Sequence, residues 1–159
     1  MKEKLESYLA NARIEYQKNI DLKRKTWIHR GGMCEIFILP NGKDQLRDVT
    51  SYLYKNNIEF VLLGHTSNTY ILNTCNIAVV VSTLKCNSYE LVNDYIYCEA
   101  GVGVIKLAND MVRNGISGFE YLTDLPGTVG GAIYNNSSCK SNSISFLLIT
   151  VEVLTRSGD

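Results

Sequence analysis

The sequence predicts an α+β protein of two subdomains: a small βαβ unit, then a mainly antiparallel sheet with helices. Three observations carry that reading. Between Met33 and Leu63 two short apolar runs flank a stretch of helical period, the pattern of strand, helix and parallel strand. From residue 71 onward, β-branched and aromatic runs are broken by Asn87-Ser88 and Asn93-Asp94, as tight turns between antiparallel strands require. Finally, Asp124-Leu125-Pro126-Gly127-Thr128-Val129-Gly130-Gly131-Ala132 places one proline and three glycines in nine residues. Such a bare backbone lets a large flat ligand or its phosphates approach closely; a tight turn into a helix packed through its glycines would use the same residues.

Composition sets the bounds. A chain of 159 residues, 45% hydrophobic and 20% charged, can bury a core and is not disordered. Its formal net charge of +0 argues against a nucleic-acid surface built on bulk electrostatics. No apolar run is long enough to span a membrane. Met1-Lys2-Glu3-Lys4 lacks the apolar core of a signal peptide, so a cytoplasmic protein is expected. The 5 cysteines are scattered and odd in number, and with only 2 histidines they offer neither a disulfide framework nor a metal site.

Taken in order, residues 2–18 read as an amphipathic helix on Leu5, Tyr8, Leu9, Ala12 and Tyr16. A basic segment, Lys18 to Arg30, follows as a solvated face or an anion contact. Met33–Leu39 is a buried strand ended by Pro40, and Asn41 is the expected cap of a helix carrying Leu46, Val49 and Leu53. Glu59–Leu63 is the second strand. It runs into Gly64-His65-Thr66-Ser67-Asn68, a loop at the carboxyl end of a parallel strand, where open α/β sheets bind ligands. Its amides and hydroxyls suit a pyrophosphate, and equally a ligand-free polar turn.

In the second half, Ala78–Val81, Leu84–Cys86, Tyr89–Val92 and Tyr95–Ala100 read as strands. Gly101-Val102-Gly103 opens a helix through Val112 that Gly115 stops; alone, this Gly-x-Gly is weak evidence for a nucleotide. Ser137–Ser143 reads as a polar loop, Phe146–Thr155 as a final strand, and Arg156–Asp159 as a hairpin turn without a returning partner. Residues 1–21 are thus expected to be a helical extension, 22–72 the first subdomain and 73–159 the second, shortened at its end.

Several of these blocks, in this order, resemble the UDP-N-acetylenolpyruvoylglucosamine reductase (UDP-N-acetylmuramate dehydrogenase) family. Leu125-Pro126-Gly127-Thr128-Val129-Gly130-Gly131-Ala132 is similar to its flavin-binding signature. Leu63 to Asn68 is similar to its Gly-Gly-Gly-Ser-Asn loop, and Thr26-Trp27 through Pro40, Glu99–Gly103 and Gly115–Glu120 also match. The resemblance implies the two-subdomain FAD-binding fold of the vanillyl-alcohol-oxidase (PCMH) type. It further implies FAD wrapped at its pyrophosphate by Gly64, His65, Thr66, Ser67 and Asn68. Leu125, Pro126, Gly127, Thr128, Gly130, Gly131 and Ala132 would line the dinucleotide, with Asn136 close by. His65 and Thr66 stand where the family has glycines, as does Asp124, and Asn136–Ser141 departs from Asn-Ala-Gly-Ala-Tyr-Gly.

The resemblance implies a peptidoglycan-precursor flavoprotein in which NADPH reduces FAD and FAD reduces an enolpyruvyl UDP-sugar. The family's catalytic arginine, serine and glutamate have no counterpart among these residues, so no catalytic residue is assigned. NADPH and the UDP-sugar become partners only if a substrate domain is supplied; neither nucleic acid nor membrane is an expected partner. A non-catalytic flavin-binding or interaction module, an FAD oxidoreductase acting on another carbohydrate, and a degenerate domain without FAD are the other readings.

Overall fold

In the computed structural model, which describes residues 2–156, a four-stranded sheet dominates the first half. Helix α1 (Lys2–Asn11) leads into strand β1 (Glu15–Asp21), which pairs antiparallel with β2 (Met33–Leu39). Helix α2 (Gly42–Lys55) crosses to β3 (Val61–Leu63), and β4 (Asn76–Ser82) follows. Both β2 and β3 run parallel to β4, in the order β1-β2-β4-β3.

Two corrections arise here. The helix expected over residues 2–18 stops at Asn11, because Arg13 takes a positive φ of 53° and the chain reverses. Residues 15–21 then form an edge strand whose polar, charged composition suits an unpaired outer edge. The second concerns the place of β4 in the sheet. β4, assigned by sequence to the second subdomain, is an interior strand of the first sheet and fills the gap between β2 and β3. Its run Val79-Val80-Val81 is buried, as a strand covered on both faces must be.

Alternation along the strands builds two cores. Ile36, Ile38, Val79 and Val81 face α1 and α2, packing with Leu5, Leu9, Val49 and Leu53. Phe37, Leu39 and Val80 face the other way, with Leu22, Leu63 and Ile71.

The second half holds a hairpin, β5 (Tyr89–Val92) with β6 (Tyr95–Cys98), then helix α3 (Val104–Arg113) and a short helix α4 (Val129–Tyr134). Gly115, at φ +75°, stops α3 as expected. A third core, with Val102, Leu107, Met111, Leu122 and Ala132, joins these pieces.

Thr83–Lys85 is a short helical turn, so the strand expected at Leu84–Cys86 does not form. The polar loop expected at 137–143 is a small hairpin, β7 (Ser138–Cys139) with β8 (Asn142–Ser143), turned by Lys140 and Ser141 at positive φ. The strand expected at Phe146–Thr155 is likewise not formed. Ile144–Leu147 is a helical turn, and residues 148–154 form no strand. A strand owes its stability to a partner, and alternation alone cannot supply one. Of the turn expected at Arg156–Asp159, residues 157–159 lie outside the described residues.

Glu99 ties the halves together. Asn41 sits at the α2 cap position yet makes no side-chain cap bond. Instead the Glu99 carboxylate accepts from the Lys43 N–H at 2.6 Å and from the Ser88 N–H at 2.9 Å. A first-turn amide of α2 thus finds its acceptor far away in sequence.

Candidate functional site

At the carboxyl end of β3, three segments of nearly bare backbone meet: Gly64–Asn68, Gly101–Gly103 and Pro126–Gly131. Gly103 and Thr128 form an isolated antiparallel bridge, with Val104 N–H donating to Gly127 O (3.0 Å) and Val129 N–H to Val102 O (2.8 Å). Gly130 N–H donates to Ala100 O at 2.8 Å. These bonds seat the second glycine loop against the start of α3.

The first loop clasps the second through two side chains. His65 Nδ1 lies 3.1 Å from Gly127 O. A carbonyl only accepts, so Nδ1 carries the proton. Ser67 Oγ donates to Pro126 O at 3.1 Å. Thr66, buried at φ +60°, turns the loop. Its Oγ1 donates to His65 O (2.7 Å) and accepts from Trp27 N–H (2.8 Å).

The glycines divide by what they face. A Cβ on Gly64 would come within 2.3 Å of Thr128 Oγ1, and one on Gly130 within 2.8 Å of the Ala100 Cβ. Both glycines therefore permit the segments to touch. Gly127 is different: its φ of +127° disfavours any side chain, and a Cβ there would meet only the Ser67 hydroxyl, at 2.9 Å. Gly131 is exposed, and its N–H donates to the Thr128 hydroxyl (3.3 Å) that caps α4.

Thus the structure brings together Gly64, His65, Thr66, Ser67, Asn68, Pro126, Gly127, Thr128, Gly130 and Gly131. Leu125 and Ala132 commit their side chains to the third core and offer only backbone. Asn136 sits past the far end of α4, whose six residues span about 9 Å.

Sequence reasoning left Gly101 and Gly103 out of the site. A Cβ on Gly101 would stand 1.8 Å from Thr83 O, and one on Gly103 would stand 3.4 Å from His65 Cε1. The paired glycines were the visible signal; their reason, a close backbone crossing, is visible only in three dimensions.

What the cradle offers is amides. The N–H groups of His65, Ser67, Asn68 and Gly127 find no backbone acceptor among the described residues. The Asn68 side chain likewise has no partner there. Successive backbone N–H groups left without acceptors are the donors from which anion-binding concavities are built. The thiols of Cys34, Cys86 and half-buried Cys98 do not contribute a nucleophile: desolvation pushes them up to about 11, leaving them protonated near neutrality. Among the described residues, no acid, base and nucleophile are assembled in the cradle.

Comparison with known proteins gives a consistent picture. Residues 34–159 match the FAD binding domain family. The chain is 30% identical over 155 residues to the UDP-N-acetylenolpyruvoylglucosamine reductase of Clostridium novyi, covering 98% of this chain and 50% of that one. It is 30% identical over 138 residues to UDP-N-acetylenolpyruvoylglucosamine reductase 2 of Bacillus cereus, covering 87% and 45%. The crystal structure of UDP-N-acetylenolpyruvylglucosamine reductase from Thermus caldophilus superposes with a TM-score of 0.58 at 22% identity, covering 82% of this chain and 45% of that one. The chain therefore spans about half the length of the relatives it matches.

Proposed function

The chain belongs to the FAD binding domain family, and from that premise we propose that its three-segment cradle holds the diphosphate of FAD as part of a nucleotide-sugar reductase. The observation that carries this reading is the clasp of His65 and Ser67 onto the Gly127 and Pro126 carbonyls, beside amides that have no backbone acceptor among the described residues.

The residues present fit the group. The His65, Ser67 and Asn68 amides donate to phosphate oxygens, with the Gly127 amide on the opposite wall. Gly127 and Gly131 keep that wall free of side chains. Gly64, Gly130, Leu125, Thr128 and Ala132 hold the wall in place, and Thr66 sets the turn of the first loop. Asn136 serves the far end of α4, beyond the diphosphate.

FAD supplies hydride chemistry when bound; the protein's part is binding and orientation. The names of the relatives support an enolpyruvyl UDP-sugar as acceptor, and the resemblance read in the sequence adds NADPH as reductant in a cytoplasmic step of cell-wall precursor synthesis. Those assignments belong to the complete enzyme, as does the substrate domain.

Among the described residues the cradle has no positioned proton donor. A positioned acid contributes roughly 10²–10⁴-fold and alignment about 7–11 kcal/mol of barrier, so the chain by itself should not turn over. The test loads it with FAD, adds NADPH and UDP-N-acetylglucosamine enolpyruvate anaerobically, and follows NADPH. Flavin-band absorbance with no substrate-dependent NADPH loss is expected. Turnover on the order of 1–10³ per second would show that catalytic residues lie within this chain.

A further inference from the structure

Leu148-Ile149-Thr150-Val151-Glu152-Val153-Leu154 has the composition of a strand and forms none. Its β-branched residues Ile149, Val151 and Val153 fall at every second position and are 73%, 45% and 69% exposed. Leu148 has extended backbone, at φ −84° and ψ 133°. Residues 149–154 make no backbone–backbone hydrogen bond among the described residues. Glu152 forms an ion pair with Lys43 at 3.6 Å, both side chains largely exposed, which tethers the segment beside α2 and leaves its apolar residues uncovered. Open backbone groups beside an exposed β-branched face make a template for strand addition.

The order of the residues points to what covers it. Reversed about Val151, the segment matches itself: Leu148 falls opposite Leu154, Ile149 opposite Val153, Thr150 opposite Glu152, and Val151 opposite Val151. Apolar residues meet apolar residues throughout, and Glu152 meets a threonine in place of a second carboxylate. Apolar cross-strand pairs are favourable, whereas like charges directly opposite are not. Such self-complementarity is what a two-fold contact demands, because the same patch serves both partners. A formal net charge of +0 adds no long-range repulsion between copies.

We propose that a second copy of this chain covers the segment: residues 148–154 of two copies pair antiparallel about a two-fold axis at Val151. Ile149, Val151 and Val153 of both copies then join in one apolar face. The proposal stands apart from the FAD reading, since none of these residues belongs to the cradle. One strand from each copy is a small interface, so the contact is of the weak, reversible class. The bend at Ile149, which straightens on pairing, weakens it further.

Sedimentation equilibrium should show the 17.8 kDa monomer at about 1 μM and a reversible dimer at about 100 μM. Val151→Lys sets two ammonium groups against each other on the axis. It should keep the chain monomeric with native circular dichroism, because the site lies at the surface. Thr150→Lys, which faces the second copy's Glu152 on both sides of the axis, should tighten the dimer severalfold. Register is read by oxidation. Val151→Cys brings two Cα atoms to about 4.5–5.5 Å, within disulfide reach, whereas Ile149→Cys leaves them roughly 14 Å apart. The first should cross-link well above the wild-type background of native cysteines, and the second should not. Growth beyond the dimer, an unchanged dimer in Val151→Lys, or equal cross-linking of the two cysteine variants overturns the proposal. So does a wild-type monomer at about 100 μM, a result that would leave the segment to a different polypeptide.

Discussion

The two glycine-bearing loops of the cradle solve opposite problems. Pro126–Gly131 is fixed by backbone: bridge bonds to Val102 and Val104, Gly130 against Ala100, and a helix cap at Thr128. Gly64–Asn68 is fixed by side chains: the Thr66 hydroxyl to Trp27, His65 to Gly127 and Ser67 to Pro126. The first arrangement is part of the folding core, whereas the second is a clasp laid over it. Damage should therefore be global in one region and local, read mainly in ligand affinity, in the other.

The largest effect should come from the backbone side. Gly101→Val drives a Cβ into Thr83 O and Cys86 O, at 1.8 and 2.7 Å, both backbone atoms that cannot swing away. Loss of more than about 4 kcal/mol, or failure to fold, is expected by thermal or urea unfolding. Glu99→Ala comes next. It leaves the Lys43 and Ser88 amides without their acceptor and should cost about 1–3 kcal/mol by the same measurement. A native-like melting curve for Gly101→Val would erase the proposed contrast.

On the clasp side the fold should survive. Ser67→Ala removes one bond to Pro126 O and should cost about 1 kcal/mol or less in stability, while FAD binding weakens several-fold by flavin fluorescence. His65→Asn should do least, about two- to five-fold in FAD affinity, because its Nδ1 shares the Gly127 carbonyl with the Val104 amide. If His65→Asn instead lowered stability as much as Glu99→Ala, the first loop would belong to the core as well.

How much of this was readable from the chain follows the same division. The β2–α2–β3 unit was legible because apolar runs and helical period are local signals, and both loops were legible because glycine and proline mark backbone chemistry directly. The polar stretch Glu15–Asp21 was misread because Tyr16 keeps helical spacing with Ala12 and its strand pairing is with residues 33–39. The insertion of β4 between β2 and β3 was invisible, since strand order is a long-range property. Likewise, nothing local announces that Glu99 caps α2 or that Gly101 crosses Thr83. At the other extreme, Phe146–Thr155 shows strand alternation without a strand, because pattern specifies a face and pairing requires a neighbour.

The most direct test of the cradle compares the wild-type chain with Gly127→Val in one titration. In that variant the added side chain stands at φ +127° and crowds the Ser67 hydroxyl, on the wall where the diphosphate is proposed to lie. Both proteins are first shown folded by circular dichroism, then FAD is titrated while its fluorescence is followed. The account predicts saturable, stoichiometric quenching with the wild-type chain and at least about a tenfold loss of affinity in Gly127→Val. Equal FAD affinity in the two folded proteins would contradict it.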